Sequence, residues 1–135
     1  MKFNEIKQSD WLQLQLYLDT CLLPLSGLNG TETPDEMTRS LEELRDLMTP
    51  IETNFKGRIV TLPAVQYFIN EQDLFVAHVD EIARRCKRQN YRFIIAISAN
   101  ETLKKLKFSE VDLFIVDPNF EDIYQQLSQL WRKQE

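Results

Sequence analysis

A chain of 135 residues that is 43% hydrophobic and 27% charged, with three glycines and five prolines, falls outside the disordered, collagenous and low-complexity classes. A domain of this length removes roughly two-thirds of its unfolded surface from water on folding, so residues 1–135 are expected to form one domain without staples. The net charge of -5 makes a general nucleic-acid binder unlikely, and no apolar stretch approaches the ~20 residues of a membrane span.

The polar start, Met1-Lys2-Phe3-Asn4-Glu5, lacks the apolar core of a secretory signal, and a cytoplasmic location is the default expectation. Leu12, Leu14, Leu16 and Leu18 then alternate with polar or aromatic neighbours like a half-buried strand. Trp11, Leu14, Leu18 and Cys21 also follow helical spacing, with Ser9 or Asp10 placed to cap the first turn. A helix is the expectation here.

Four apolar runs follow the rhythm of an α/β domain: Cys21 to Leu25, Ile59 to Leu62, Phe93 to Ile97 and Leu113 to Val116. Pro24 reads as a stop to the first strand, and Ser26-Gly27-Leu28-Asn29-Gly30-Thr31-Glu32 after it reads as a loop. Thr33, Pro34 and Glu36 then have the pattern of a capped helix start. Met37, Leu41, Leu44 and Met48 form that helix's inward stripe, and Pro50 should disturb the helix or end its regular part at Thr49. Phe75, Val79, Ile82, Ala83 and Cys86 mark the clearest amphipathic helix. A short helix near Glu101 to Leu106 follows the third strand. The last helix carries Phe120, Ile123, Tyr124, Leu127, Leu130 and Trp131.

Strands that are apolar throughout are buried on both faces, as in a parallel sheet covered by helices. With right-handed crossovers this predicts a three-layer α/β fold of flavodoxin- or Rossmann-like type. Its sheet is mostly parallel, four-stranded and doubly wound in the order 2-1-3-4, with an extra N-terminal helix.

In such sheets ligands bind at the carboxyl ends of the strands. Ser26, Gly27, Ser98 and Asp117 stand there as ligand-binding candidates, together with Thr61 and Asn100. Neither GxGxxG nor GxxxxGK[ST] occurs, which argues against a dinucleotide or Walker-type site. Ser98 or Asn100 also suits a helix cap, as does Asp117 before Pro118. The sole histidine, His78, lacks Cys or His companions at ligand spacing, so no metal site, cofactor or catalytic residue is assigned. Cys21 and Cys86 read as buried free thiols.

The connection Pro63 to Gln72 is unusually apolar and aromatic, in Ala64-Val65-Gln66-Tyr67-Phe68-Ile69. It either folds back as core or an extra strand, or presents Tyr67, Phe68 and Ile69 as a patch for a protein partner or a second copy. Charge is also segregated. Seven acids and two arginines lie between Glu32 and Glu52, against eight bases and one acid between Arg84 and Lys107. A noncatalytic protein-interaction or regulatory domain is therefore the expectation. The alternative is a small-ligand or nucleotide-binding enzyme working at the strand ends.

At Asp19-Thr20-Cys21-Leu22-Leu23-Pro24-Leu25, followed by Phe55-Lys56-Gly57-Arg58-Ile59-Val60-Thr61-Leu62-Pro63 and Tyr67, the chain resembles the small YpiF-like proteins of Gram-positive Bacillus-type bacteria. The resemblance covers most of the chain. Because that family is a domain of unknown function, it implies a stand-alone bacterial cytoplasmic domain and transfers no catalytic residue.

Overall fold

The computed structural model describes residues 1–116 and 120–132, the side chain of Phe120 excepted. In chain order these hold α1 (Gln8–Leu14), β1 (Thr20–Leu28), α2 (Pro34–Asn54), β2 (Ile59–Thr61), β3 (Val65–Tyr67), α3 (Gln72–Lys87), β4 (Phe93–Ile97), β5 (Leu113–Ile115) and α4 (Phe120–Arg132). Short 3₁₀ helices lie at Phe3–Glu5 and Glu101–Lys105. The strands pair in parallel in the order β2-β1-β4-β5, with β3 joined to β1 beyond the end of β2.

Alternation along the strands divides the core between two helical layers. Leu22, Ile59, Ile95, Ile97 and Ile115 meet Leu44, Met48 and Ile51 of α2 and Ile123 and Leu127 of α4. On the opposite face Cys21, Val60 and Ile94 meet Ala83 and Cys86 of α3, while Leu23, Leu25 and Ala96 meet Phe75 and Val79. Trp11 and Leu14 of α1 pack onto that second layer. The three-layer architecture and the predicted order of the four apolar runs are both present.

Several local expectations differ from the structure. The sheet has five strands among the described residues, because Val65–Tyr67 adds β3. Ser26, Gly27 and Leu28 are not loop but the buried end of β1, held there by β3: Leu28 opposes Tyr67, and its carbonyl accepts from Phe68 N at 2.7 Å. Pro24 does not stop this strand. The Leu22 carbonyl faces β2 and accepts from Leu62 N at 2.9 Å. Two residues on, Pro24 turns the same way and presents its missing donor to the joint between β2 and β3.

α1 starts after Lys7, which makes no side-chain cap bond, so neither Ser9 nor Asp10 is the N-cap, and the helix ends at Leu14. α2 continues through Pro50 to Asn54. Ile51, beyond the proline, is wholly buried and its carbonyl accepts from Phe55 N at 3.1 Å, so packing of the last turn overrides the local penalty. Leu41, expected inward, is exposed; Leu47 packs on the core instead.

Candidate functional site

β1 sends the chain to β2 through α2 on one side, and β3 returns it through α3 to β4 on the other. The carboxyl ends of β1 and β4 therefore form a topological switch point, the place where such sheets bind ligands. A cleft of about 290 Å³ opens there, lined by Ser26, Gly27 and Leu28 of β1, by Glu32, Ser40 and Glu43, and by Ala99, Asn100 and Glu101.

Its floor is a bulge. Three residues of β1, Ser26 to Leu28, pass two of β3, and Gly27 adopts φ +74°. The Gly27 carbonyl points to the β4 side and accepts from Asn100 Nδ2 at 3.0 Å. Asn100 in turn caps the following 3₁₀ helix, its Oδ1 accepting from Thr102 N at 3.0 Å. One asparagine thus ties the end of β1 to the turn after β4.

The Ser26 and Ser98 hydroxyls and the Glu32 carboxylate are also occupied. The Ser26 hydroxyl donates to the Gln66 carbonyl, which fastens β3 to the bulge. Ser98 is fully buried, and its Oγ accepts from Asn100 N at 3.1 Å. The Glu32 carboxylate accepts from Asn29 N at 2.9 Å and Gly30 N at 3.0 Å, and these bonds, Asn29's first, hold it below the usual carboxylate range. Glu43 and Glu101 add two more carboxylates, whereas among the described residues no Lys, Arg or His lines the cleft. An anionic phosphate would meet like charge here. Among the described residues no group of His, Cys, Asp and Glu could hold a metal ion. Of the sequence candidates, Ser26 and Gly27 line the cleft and Ser98 lies out of its lining, turned into the turn at Asn100; Asp117 lies outside the described residues.

The second candidate surface is the free side of β3. The adjoining edge, β2, is covered by the start of the chain: Thr61 N donates to the Met1 carbonyl and the terminal amine donates to Ile59 O, each at 2.7 Å. β3 pairs with β1 and with no other described strand. Since Phe68 N bonds Leu28 O, alternation turns the N–H and C=O of Tyr67 outward. The side chains of Tyr67 (54% exposed) and Ile69 (48%) are open to solvent. Phe68, taken with them from sequence, is half-buried and stacks edge-on against Phe75 at 4.9 Å. Beside the strand runs a mainly apolar groove of about 600 Å³, bounded by Leu23, Leu62, Val65, Tyr67, Ile82 and Cys86, with His78 at its side.

Two structural anchors escaped the sequence reading. Asp80, buried on α3, accepts from Ser109 N (3.2 Å), Ser109 Oγ (3.0 Å) and Glu110 N (2.9 Å), fixing the turn before β5. Arg58 forms a two-point pair with Asp19 and lies 4.3 Å over the Trp131 ring, locking α4 to the sheet. The basic run after Ala83 is largely paired within the fold, Arg84 with Glu81 and Glu110, Arg85 with Glu81 and Lys87 with Asp112. No described helix is long and apolar enough to cross a membrane.

The layers, the parallel order and the switch-point cleft define a three-layer, Rossmann-like α/β protein. The family model described as protein of unknown function (DUF2487) matches residues 9–130, and the chain belongs to that family. No curated protein and no solved structure matches it.

Proposed function

We propose that this is a noncatalytic interaction protein that takes an extended polypeptide segment along the free side of β3, with the neighbouring groove receiving its side chains. The observation that carries this reading is the outward backbone of Tyr67 between a covered edge and an apolar groove, with the side chains of Tyr67 and Ile69 exposed. An unpaired strand edge offers donors and acceptors that another strand satisfies, and alternate side chains then read the groove. The switch-point cleft supports the same reading by contrast, since its Ser26 hydroxyl and its Asn100 amide are engaged in holding the fold.

Panning a random peptide library on the purified protein tests this. Selected peptides should lose at least tenfold affinity on Tyr67→Asp or Ile69→Asp, the scale expected when a central interface side chain is replaced. Unchanged affinity on both variants would overturn it. A second reading, small-ligand binding in the cleft, is favoured by the switch-point position alone. It requires a nucleotide or metabolite that raises the melting temperature of the wild type and not of Ser40→Trp.

A further inference from the structure

The chain's two cysteines, distant in sequence, meet across the β1–α3 interface. Cys21 is fully buried on the central strand and Cys86 is 8% exposed near the end of α3. Both belong to one core cluster with Leu18, Val60 and Ala83, close enough for each thiol to perturb the other's ionisation. Their access differs. Cys86 lines the groove beside β3, where a small molecule reaches it, and Cys21 lies behind it.

We infer that Cys86 and Cys21 form a reversible dithiol–disulfide pair, with Cys86 attacked first by a small hydroperoxide entering the groove and Cys21 closing the bridge. The Cys86 thiolate forms an S–O bond as the O–O bond breaks, giving a sulfenic acid and the alcohol or, from hydrogen peroxide, water. The Cys21 sulfur then attacks the Cys86 sulfur. The S–S bond forms, the S–O bond breaks, and the departing hydroxide takes the Cys21 proton as water. Two thiols are oxidised by two electrons in total, and one hydroperoxide is reduced.

The electrostatics suit this order. Donation from the Cys21 S–H holds Cys86 below the usual thiol range, and burial pushes Cys21 up, so the thiolate resides on the accessible sulfur. Closing the bridge shortens the sulfur separation to about 2 Å, which draws the end of α3 toward β1 and moves the groove wall.

The test treats reduced, folded wild-type protein with hydrogen peroxide, counts free thiols and maps peptides without reduction. Both thiols should disappear together, with the intact mass lower by two hydrogens. The map should join the Cys21 and Cys86 peptides within one chain, and dithiothreitol should restore both thiols. In Cys21→Ala the reaction should stop at a sulfenic acid on Cys86 that dimedone traps; in Cys86→Ala, Cys21 should stay reduced. Persistence of both wild-type thiols, a bridge only between chains, or sulfinic acid at Cys86 beside a free Cys21 would each overturn the inference. The wild-type map decides even if a variant fails to fold.

Discussion

Replacing Gly27 with alanine should destabilise the protein by about 2–3 kcal/mol, the sum of a backbone and a contact effect. At φ +74° a residue with a Cβ is strained by about 1–2 kcal/mol. The added Cβ would also lie 2.7 Å from both Cβ and Nδ2 of Asn100. Asn100 must then move and give up its bond to the Gly27 carbonyl, a further ~1 kcal/mol. Urea unfolding followed by the fluorescence of Trp11 and Trp131 measures the sum. Asn100→Ala gives the reference: it loses the bond and the clashing Nδ2, while its Cβ stays, so the bond is counted in both single variants and only once in the double. The double variant should therefore be destabilised by less than the two single variants added together, by about 1 kcal/mol or more. A loss below about 0.5 kcal/mol for Gly27→Ala, or strict additivity, would refute the clamp between the ends of β1 and β4.

Asp80→Ala leaves three donors around Ser109 and Glu110 without their acceptor and should lose about 2–4 kcal/mol in the same assay, of which Asp80→Asn, with one acceptor oxygen in place of two, should regain only part. Tyr91, whose phenol burial pushes from 10.0 up to about 12, stays neutral in the fold after the unfolded chain has ionised. Its contribution is thus complete below pH 10 and is lost as pH rises toward 12, which denaturation across that range reads directly; Tyr91→Phe should flatten the slope. Tyr67→Asp and Ile69→Asp, on exposed side chains, should leave stability within about 0.5 kcal/mol while removing peptide binding.

The layers were legible because burial on both faces leaves a continuous apolar run, as in Phe93 to Ile97, and burial on one stripe leaves the spacing of Phe75, Val79 and Cys86. The last three residues of β1 were not, because nothing local makes Ser26-Gly27-Leu28 a strand. Only pairing with β3, forty residues away at Gln66, does so. β3 itself was legible only as one reading of Pro63 to Gln72, an extra strand, because three residues are too short to show a period. Pro24 and Pro50 misled for a related reason: their costs are local, while the strand joint and the burial of Ile51 that accommodate them are tertiary. Among candidate site residues, Asn100 was visible as a cap but not as a clamp. The two cysteines read correctly as buried, without any sign that they face each other. Asp80 resembled any helix-surface acid until its three donors, supplied from the turn before β5, came into place.

Amide hydrogen exchange at neighbouring residues of β3 tests the docking account most directly. In the free protein Phe68 N, bonded to Leu28 O, should exchange slowly, and the outward Tyr67 N rapidly. With a saturating library-selected peptide, Tyr67 N should become protected while Phe68 N stays so. A Tyr67 amide that remains unprotected in the complex, with new protection at Gly27 and Asn100 instead, would contradict it and move the binding site to the switch-point cleft.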